Sequence, residues 1–565
     1  MNIKYLLQGQ RAIAVLLFLV VAVIFSGCVN KEGNSTINVE QVSPTVEVDQ
    51  PKDTNEGNEV STTVTSYEVD EQDGTIFYEI FVRAFYDSDG DGIGDLNGVT
   101  AKLDYLQELG VGGIWLMPIL QNNSYHGYDT TDYYHILPQY GTEEDLKNLI
   151  KEAHARNIKV VMDLVVNHSS SNHPWFQEAL HYKDSKYRNW YQFANVDEKV
   201  RSDSAAGSIA WHTTADGTEK YLGIFVDNMP DFNFDEPEVR VEFIKIGQYW
   251  LGIGLDGYRL DAAKHIFGDY KSTLYEQETI DKNVKWWQEF RAGMVEVNPD
   301  VYLIGEVWDS STLVAPFFNN ALDSAFNFDI ADRIVGAAKD ERDSDLAYSL
   351  VKAYKMFNKT SNGQFLDAPF LTNHDQTRVM SAVHGKVERA KVAASILLTL
   401  PGTPYLYYGE EIGMQGMKPD EDIREPMIWY EDDAGGVGQS TWKAAKYNIG
   451  DEHVSVEEQL VDNSSILNHY KQLISWRKEV SALQTGDIFE FTLTTRNFSL
   501  TQYVRATAGE RVLIIHNLSD AMQLAELDQS TQFGNFTEIV KTTNNDALLQ
   551  DATLTIPAYS TVIMK

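Results

Sequence analysis

The central part of the chain alternates between two hydrophobic patterns. From Thr75 onward, short apolar runs rich in β-branched and aromatic residues alternate with longer stretches of helical periodicity. Continuous apolar runs predict strands that are buried on both faces, as in a parallel sheet covered by helices. Eight such units in about 400 residues predict a closed (β/α)8 TIM barrel. The predicted strands are Ile76–Phe85, Gly113–Pro118, Lys159–Val166, Gly257–Leu260, Val301–Ile304, Ser324–Phe328, Phe370–Thr372 and Thr403–Tyr408.

Two stretches depart from this alternation. Residues 168–236 contain no clear barrel unit, which predicts a subdomain inserted after the third strand. After the helical pattern of Ile466–Leu483 only strands and turns follow, so residues 486–565 should form a small antiparallel β domain. The predicted fold is therefore α/β, with barrel segments at residues 71–167 and 237–485.

The first 28 residues have the pattern of an export signal. Lys4 and Arg11 precede a charge-free apolar run, Ala12 to Phe25, which is shorter than the roughly 20 residues of a membrane-spanning helix. The run ends in small residues before Cys28, the only cysteine of the chain, and resembles a bacterial lipoprotein processing box. We expect a lipid on Cys28 and a location on the bacterial cell surface. A plain signal peptide and a retained membrane helix are the alternatives.

Composition narrows the set of partners. Residues 29–70 are rich in Ser, Thr, Asn and Glu, which predicts a flexible tether. The formal net charge of -37 argues against nucleic acid and anionic lipid surfaces as partners, because both are bound by clustered Lys and Arg. A neutral polymer is not repelled by this charge. We expect a monomer that does not bind nucleic acid.

Polar and acidic side chains stand where four of the predicted strands end. In a parallel barrel the catalytic groups come from the carboxyl ends of different strands. An isolated acid there is usually a helix cap or a solvated loop residue, but four such segments in barrel order favour an active site. The segments are Asp163–His168, Gly257–His265, Gly305–Trp308 and Phe370–Asp375.

These segments resemble the four sequence regions of the α-amylase family, glycoside hydrolase family thirteen, and the likeness extends over Thr75 to Lys565. The resemblance implies retaining hydrolysis of α-linked glucans, with Asp261 as nucleophile and Glu306 as general acid/base. Asp375 matches the third carboxylate, which holds the distorted sugar. Such chemistry needs one ionised and one protonated carboxyl group about 5–5.5 Å apart.

Neighbouring residues fit the same chemistry. Arg259 precedes Asp261 by two residues, so on a strand it points to the same side and would keep the nucleophile ionised. Glu306 needs a raised pKa to donate a proton near neutral pH. The resemblance also implies an aromatic sugar platform at Tyr128 and substrate contacts from His126, His168, Lys264, His265, His374 and Arg424. A structural role stays open for the histidines, as does a structural salt bridge for Arg424.

An acidic loop follows the first strand. Asp87, Asp89, Asp91 and Asp95 stand at loop positions one, three, five and nine, and Ile93 can add a backbone carbonyl. The pattern is similar to the first half of an EF-hand, but a glycine stands where the bidentate glutamate should be. Hard oxygen ligands with flexible glycines favour Ca²⁺ over Mg²⁺. An acidic loop without metal is the alternative.

The resemblance implies a second calcium site less strongly. Asn167, Asp231 and the carbonyl of His265 match ligands of another common site of the family, between the barrel and the inserted subdomain. The remaining ligand of that site is not identifiable in this sequence.

The segments near the nucleophile bear on the bond that is cut. Met229 to Asn233 is intermediate between the corresponding segments of oligo-1,6-glucosidases and neopullulanases. Ala262 is small, and Lys264 with His265 is similar to the amylase continuation. We expect endo-acting α-1,4-glucan hydrolysis, with some transglycosylation or α-1,6 cleavage.

Other interpretations of the sequence remain. Within the enzymes they are an exo-acting α-glucosidase, an oligo-1,6-glucosidase and a neopullulanase-like enzyme. From other classes they are a non-catalytic sugar-binding barrel and a calcium-dependent adhesion protein.

Overall fold

A computed structural model of the protein describes residues 74–431, 438–449, 454–528 and 532–565. The predicted export signal, the tether and Cys28 lie outside the described residues. No helix in the described ranges is both long enough and apolar enough to cross a membrane.

Eight parallel strands form the barrel. Each strand pairs with its neighbours in chain order, and the first strand pairs with the eighth. A parallel bridge between Phe370 and Tyr405 joins the seventh strand segment to the eighth and closes the sheet. The (β/α)8 prediction is therefore confirmed. The barrel strands are Phe77–Ile80, Gly113–Leu116, Lys159–Leu164, Gly257–Leu260, Tyr302–Gly305, Ser324–Phe326, Leu366–Ala368 and Tyr405–Tyr407.

The predicted position of the seventh strand is wrong by four residues. The sequence suggested Phe370–Thr372, whereas the paired residues are Leu366–Ala368. Asp367 interrupts the apolar pattern there, yet its side chain is buried and accepts hydrogen bonds from Asn327 and Tyr354. A buried polar residue with partners is compatible with a strand that a hydrophobic pattern does not reveal.

Amphipathic helices cover the outside of the barrel. Glu143–His154 begins with a capping box, in which Thr142 and Asp145 bind each other's backbone N–H groups. Its apolar residues face inward and its Lys and Glu residues face solvent. The α-helices are Val82–Phe85, Leu96–Ala101, Leu103–Leu109, Glu143–His154, Pro174–His181, Pro237–Ile253, Gln277–Val295, Ser311–Val314, Phe328–Asp340, Leu346–Ser361, Val379–Ala382, Val387–Thr399, Asp420–Ile423, Val456–Val461, Ile466–Glu479 and Ser481–Gln484.

The barrel interior is layered by the strand period of two. Phe77 and Val161 belong to a buried apolar cluster inside the barrel. Two residues further along the same strands stand Glu79 and Asp163, which are also buried. Because alternate residues of a strand face the same side, a polar layer follows the apolar one toward the carboxyl ends. Arg259 of the fourth strand is buried in contact with Asp163 of this polar layer.

The region after the third strand forms a small antiparallel sheet of Phe193–Asn195, Glu219–Leu222 and Trp211–Thr213. A bridge between His168 and Asp231 ties this region to the end of the third strand. A separate hairpin, Leu120–Asn122 with Thr130–Ile136, follows the second strand.

The C-terminal part is antiparallel, as predicted, and consists of two sheets. Arg505 of the larger sheet is buried and donates to the carbonyl of Thr399, at the end of a barrel helix. The larger sheet contains Asp487–Glu490, Leu500–Ala506, Arg511–Asn517, Thr561–Met564 and Ile539–Thr542. The smaller contains Gln523–Glu526, Thr553–Ile556 and Leu548–Gln550.

Candidate active site

Arg259 lies at the centre of the site. Its Nη1 atom is 2.5 Å from Oδ1 of Asp261 and 3.1 Å from Oδ1 of Asp163. Its Nη2 atom is 3.0 Å from Oε2 of Glu306. A single buried guanidinium thus contacts three carboxylates from the third, fourth and fifth strands, which places the predicted nucleophile and the predicted acid side by side.

The backbone after the fourth strand contributes to the same cluster. Ala262 has a positive φ of 48°, a conformation that is uncommon for residues other than glycine. Its N–H group donates to Oε2 of Glu306 over 3.0 Å. The Glu306 N–H group in turn donates to the carbonyl of Leu260, so the ends of the fourth and fifth strands are fixed to each other.

Burial makes ionisation costly for these carboxyl groups. It raises the pKa of Asp163 to about 7, although Arg259 opposes the shift. Burial likewise raises the pKa of Asp261 and of Glu306, although Arg259 opposes both shifts. The neighbouring carboxylates raise both pKa values further. The raised pKa expected for Glu306 agrees with this direction. For Asp261, Arg259 opposes the effect of burial without cancelling it.

Asp375 is held from two sides. Its Oδ1 atom accepts from Nη2 of Arg424 at 2.9 Å, and its Oδ2 atom lies 3.2 Å from Nε2 of His374. His374 also approaches the Tyr128 hydroxyl at 2.7 Å through Nε2 and the Glu79 carboxylate at 2.5 Å through Nδ1. The Tyr128 ring stacks on the His374 ring at 5.5 Å between centroids.

Burial disfavours the charged forms of Asp375 and His374, but their ion pair favours these forms more strongly. Burial alone would raise the pKa of Asp375, yet His374 and Arg424 bring that pKa well below its usual range. Burial would also lower the pKa of His374, whereas Asp375 and Glu79 raise it to about 9. Asp375 is therefore ionised and His374 protonated at neutral pH. The salt bridge left open for Arg424 exists, and it is made to Asp375 itself.

The other predicted histidines are held by hydrogen bonds. Nδ1 of His126 accepts from the N–H group of Tyr128, and Nε2 of His168 lies 3.2 Å from the Tyr128 carbonyl. Nδ1 of His265 lies 3.0 Å from the carbonyl of Gly268. Burial lowers the pKa of His168 and of His265 to about 4, so both are neutral at neutral pH.

Lys264 lies next to the loop that follows Glu306. Its Nζ atom donates to the carbonyl of Trp308 and to Asp309, which also accepts from the hydroxyl of Tyr275. Trp308 is 44% exposed and stacks on Phe328 with 4.4 Å between ring centroids. Exposed Trp308 and Tyr275 thus lie at the loop that follows Glu306.

Part of the acidic loop forms a compact cluster. Carboxylate oxygens of Asp87, Asp89 and Asp95 lie within 4.8 Å of one another. Backbone N–H groups of Gly90 and Gly92 donate to Asp87, and those of Ser88 and Gly98 donate to Asp95. The loop thereby directs three hard oxygen ligands toward one point, which suits a calcium ion. Asp91 and Ile93 stand on the same loop, where Asp91 accepts the N–H group of Ile93.

The second predicted metal site has fewer groups. Nδ2 of Asn167 donates to Asp231 at 3.1 Å, and Asp231 also accepts from the N–H group of Ile224. Burial raises the pKa of Asp231 well above its usual range. The carbonyl of His265 accepts from the N–H group of Gly268. Within the described ranges, only the loop after the first strand brings three acidic or histidine ligands together.

Comparison with known proteins identifies the family. Residues 79–486 match the model of the alpha amylase catalytic domain, and residues 500–563 match that of the alpha-amylase SusG C-terminal domain. The chain belongs to the α-amylase family. It is a glycoside hydrolase of the α-amylase type.

Several α-amylase family members are similar over most of their length. "Alpha-amylase 3" of Dictyoglomus thermophilum is 41% identical over 498 residues, which cover 87% of this chain and 93% of the relative. A "4-alpha-glucanotransferase" of Thermotoga neapolitana is 35% identical over 459 residues, 80% of this chain and 97% of the relative. The crystal structure of alpha-amylase from H. orenii has a TM-score of 0.78 at 42% identity, covering 87% of this chain and 99% of that one.

Three residues of this α-amylase-family site were not singled out as site residues in the sequence. Asp163 begins a recognised segment, but only the fold shows that it contacts Arg259 and Tyr128. Trp308 stands two residues after Glu306, and its position in that motif could have indicated it. Glu79 lies in an apolar run, and its charge within that run is the signal that could have found it.

Proposed function

We propose that the protein is an endo-acting, retaining α-glucan hydrolase that cuts α-1,4 linkages of starch and maltooligosaccharides through a covalent glycosyl-enzyme. One observation carries this proposal: Asp261 and Glu306 contact two nitrogen atoms of the same buried guanidinium, at 2.5 and 3.0 Å. Two carboxyl groups on one guanidinium are close enough for one to attack the sugar while the other protonates the leaving oxygen.

The proposed reaction has two steps. Asp261 attacks the anomeric carbon as the glycosidic C–O bond breaks, and Glu306 gives its proton to the leaving oxygen. Glu306, now ionised, takes a proton from water, whose oxygen attacks the anomeric carbon and releases Asp261. Asp375, held ionised by His374 and Arg424, binds hydroxyl groups of the distorted sugar.

Paired substitutions test these roles. Asp261→Asn and Glu306→Gln should each abolish turnover and retain binding of maltooligosaccharides, measured by reducing-sugar release and by calorimetry. Asp256→Asn is a matched control. Asp256 directly precedes the fourth strand, at the end opposite to Asp261, and its carboxylate accepts a hydrogen bond from the N–H group of Val160. Asp256→Asn should retain turnover. Unchanged turnover in Asp261→Asn would overturn the assignment.

Product analysis tests the endo α-1,4 specificity. With amylose, iodine staining should disappear before free glucose accumulates, whereas an exo-acting α-glucosidase or oligo-1,6-glucosidase releases glucose first. Similarity to a relative named 4-alpha-glucanotransferase favours transglycosylation as a second activity. A pure transferase would change chain lengths without raising the number of reducing ends. Pullulan and cyclodextrin as substrates test the neopullulanase alternative.

Calcium belongs to the same proposal. Asp87, Asp89 and Asp95, joined by Asp91 and the carbonyl of Ile93, would hold a Ca²⁺ ion that fixes the loop after the first strand. Asn167 and Asp231 would contribute to a weaker second site.

Location and assembly are proposed from the sequence. A lipid on Cys28 would anchor a monomeric enzyme to the outer face of the bacterial membrane, with residues 29–70 as a tether. Cys28→Ala should move the protein from the membrane fraction to the medium, as judged by fractionation. If the wild-type protein is instead found in the medium and carries no lipid, the proposed lipid anchor is contradicted.

A further inference from the structure

We propose that Glu79 is a positioning residue of this enzyme, which holds His374 as a doubly donating imidazolium and so fixes Asp375 and Tyr128 around the sugar. The inference rests on the proposed function, because it assigns Glu79 to the carboxylate that binds the distorted ring. Glu79 contacts neither Asp261 nor Glu306 in the hydrogen bonds and ion pairs of the described residues, so it would act through His374 alone.

Glu79 is placed for this role by the first strand. Its side chain faces into the barrel one layer above Phe77 and is 3% exposed. Oε1 lies 2.5 Å from Nδ1 of His374, and His374 is completely buried. An ionised carboxylate in such a position needs a cationic partner, because burial of an unpaired charge is costly. His374 is the cationic partner that Glu79 contacts.

The other ring nitrogen of His374 requires a proton as well. Nε2 faces Oδ2 of Asp375 at 3.2 Å and the Tyr128 hydroxyl at 2.7 Å. The Tyr128 hydroxyl donates its own proton to Asp163 at 3.0 Å, so toward His374 it accepts. A neutral imidazole would leave one lone pair facing a carboxylate. While the Tyr128 hydroxyl proton is on the Asp163 side, only the imidazolium gives both nitrogen atoms of His374 a hydrogen bond.

The surroundings agree with this protonation state. Burial alone would lower the pKa of His374, but Asp375 and Glu79 raise it to about 9. Asp163 and Asp261 lie close enough to interact with His374 electrostatically. The groups that face His374 from the packed elements are Glu79, the Trp115 ring, Tyr128, Asp163, Asp261 and Asp375, with Arg424 on its backbone carbonyl.

Glu79→Gln removes the charge and retains the shape. The glutamine carbonyl can still accept from Nδ1–H, so the ring should keep its position. The loss of one of two facing carboxylates should lower the pKa of His374, by about one to three units for a partner at this distance. Once His374 loses its proton at a lower pH than the general acid Glu306, the alkaline limb of the kcat/KM profile should also move to lower pH, while activity near pH 6 stays within a few-fold of wild type.

A second buried carboxylate provides the control. Glu411 is completely buried and accepts hydrogen bonds from Tyr78 and Tyr105, but it does not contact His374. Glu411→Gln should leave the alkaline limb where it is, even if the melting temperature falls. A merely structural role for Glu79 predicts the same fall in stability for both variants and no shift of the limb for either.

Direct titration of His374 completes the test. Nitrogen-15 imidazole resonances of the wild-type protein should show both ring nitrogens protonated up to about pH 8, and the titration of Glu79→Gln should begin at lower pH. A wild-type His374 that is neutral at pH 7 overturns the proposal, even if Glu79→Gln does not fold. Failure of the proposed function would instead appear as full turnover in Asp261→Asn, and the His374 titration would be unaffected by it.

Discussion

The Nη1 atom of Arg259 lies 2.5 Å from Oδ1 of Asp261, and the guanidinium is completely buried. The same side chain also contacts Asp163 and Glu306, so one cation faces three acidic groups. If all three were ionised, the cluster would carry two uncompensated negative charges around a fully buried guanidinium. Burial raises the pKa of each acid, which favours retention of at least one proton. The proposed mechanism needs that proton on Glu306.

Arg259→Lys should inactivate the enzyme although it preserves the charge. A lysine ammonium cannot contact three carboxylates in the arrangement of a planar guanidinium. We expect kcat/KM to fall by about a thousandfold, the effect of losing a preorganised electrostatic contact. Arg240→Lys is the control, because Arg240 forms an ion pair with the more exposed Glu289. Near-normal activity in Arg259→Lys would show that the shared guanidinium is dispensable.

Two substitutions of Tyr128 separate its ring from its hydroxyl. Tyr128→Phe keeps the proposed sugar platform but removes the hydroxyl between Asp163 and His374. It should lower the free energy of unfolding by about 1–3 kcal/mol, as expected for unsatisfied buried partners, with a small effect on kcat/KM. Tyr128→Ala should lower kcat/KM far more, by about tenfold or above, because stacking is lost. Equal kinetic effects in both variants would contradict a platform role.

The predicted catalytic carboxylates came from local patterns that the fold then brought together. Asp261 and Arg259 share a strand, so their common orientation follows from the period of two. Asp375 could be placed at the end of the seventh strand, even though the strand itself was predicted four residues too late. The placement of a catalytic residue at a strand end is little affected by such an error, because all the carboxyl ends of a parallel barrel meet at one face.

Contacts between distant strands were not accessible from the sequence. Glu79 and His374 are 295 positions apart, and no local spacing relates them. The same holds for Glu411, which accepts from Tyr105 across 306 positions. Within an apolar run a single glutamate looks like an interruption of the strand pattern. Only the closed barrel provides the partner that makes its burial favourable.

Calcium removal should destabilise the loop after the first strand. Without an ion, Asp87, Asp89 and Asp95 would repel one another at short range. Chelation should lower the melting temperature, and excess Ca²⁺ should restore it. At a hundredfold excess over the dissociation constant, the bound ion adds about 2.7 kcal/mol to the free energy of unfolding. Asp89→Asn should weaken the response, whereas Asp300→Asn, in an exposed loop, should not change it. A melting temperature unaffected by chelator would argue against calcium at this loop.

Glu410 should make the protein less stable as the pH rises. It is buried, its Oε1 atom accepts from Tyr470 at 2.9 Å, and burial raises its pKa from 4.5 to about 8. Between these values the folded state keeps a proton that the unfolded state has released, so the contribution to stability falls with rising pH, by at most about 1.4 kcal/mol per pH unit. Glu410→Gln removes this titration. Its stability relative to wild type, measured by denaturant unfolding, should therefore increase from pH 5 to pH 8.

Glu388 is exposed, and Glu388→Gln is the control. It should leave the pH dependence of the free energy of unfolding as it is in the wild type. If the curves of Glu410→Gln and wild type run parallel, Glu410 is already ionised in the folded protein, and its burial is compensated by a partner other than Tyr470.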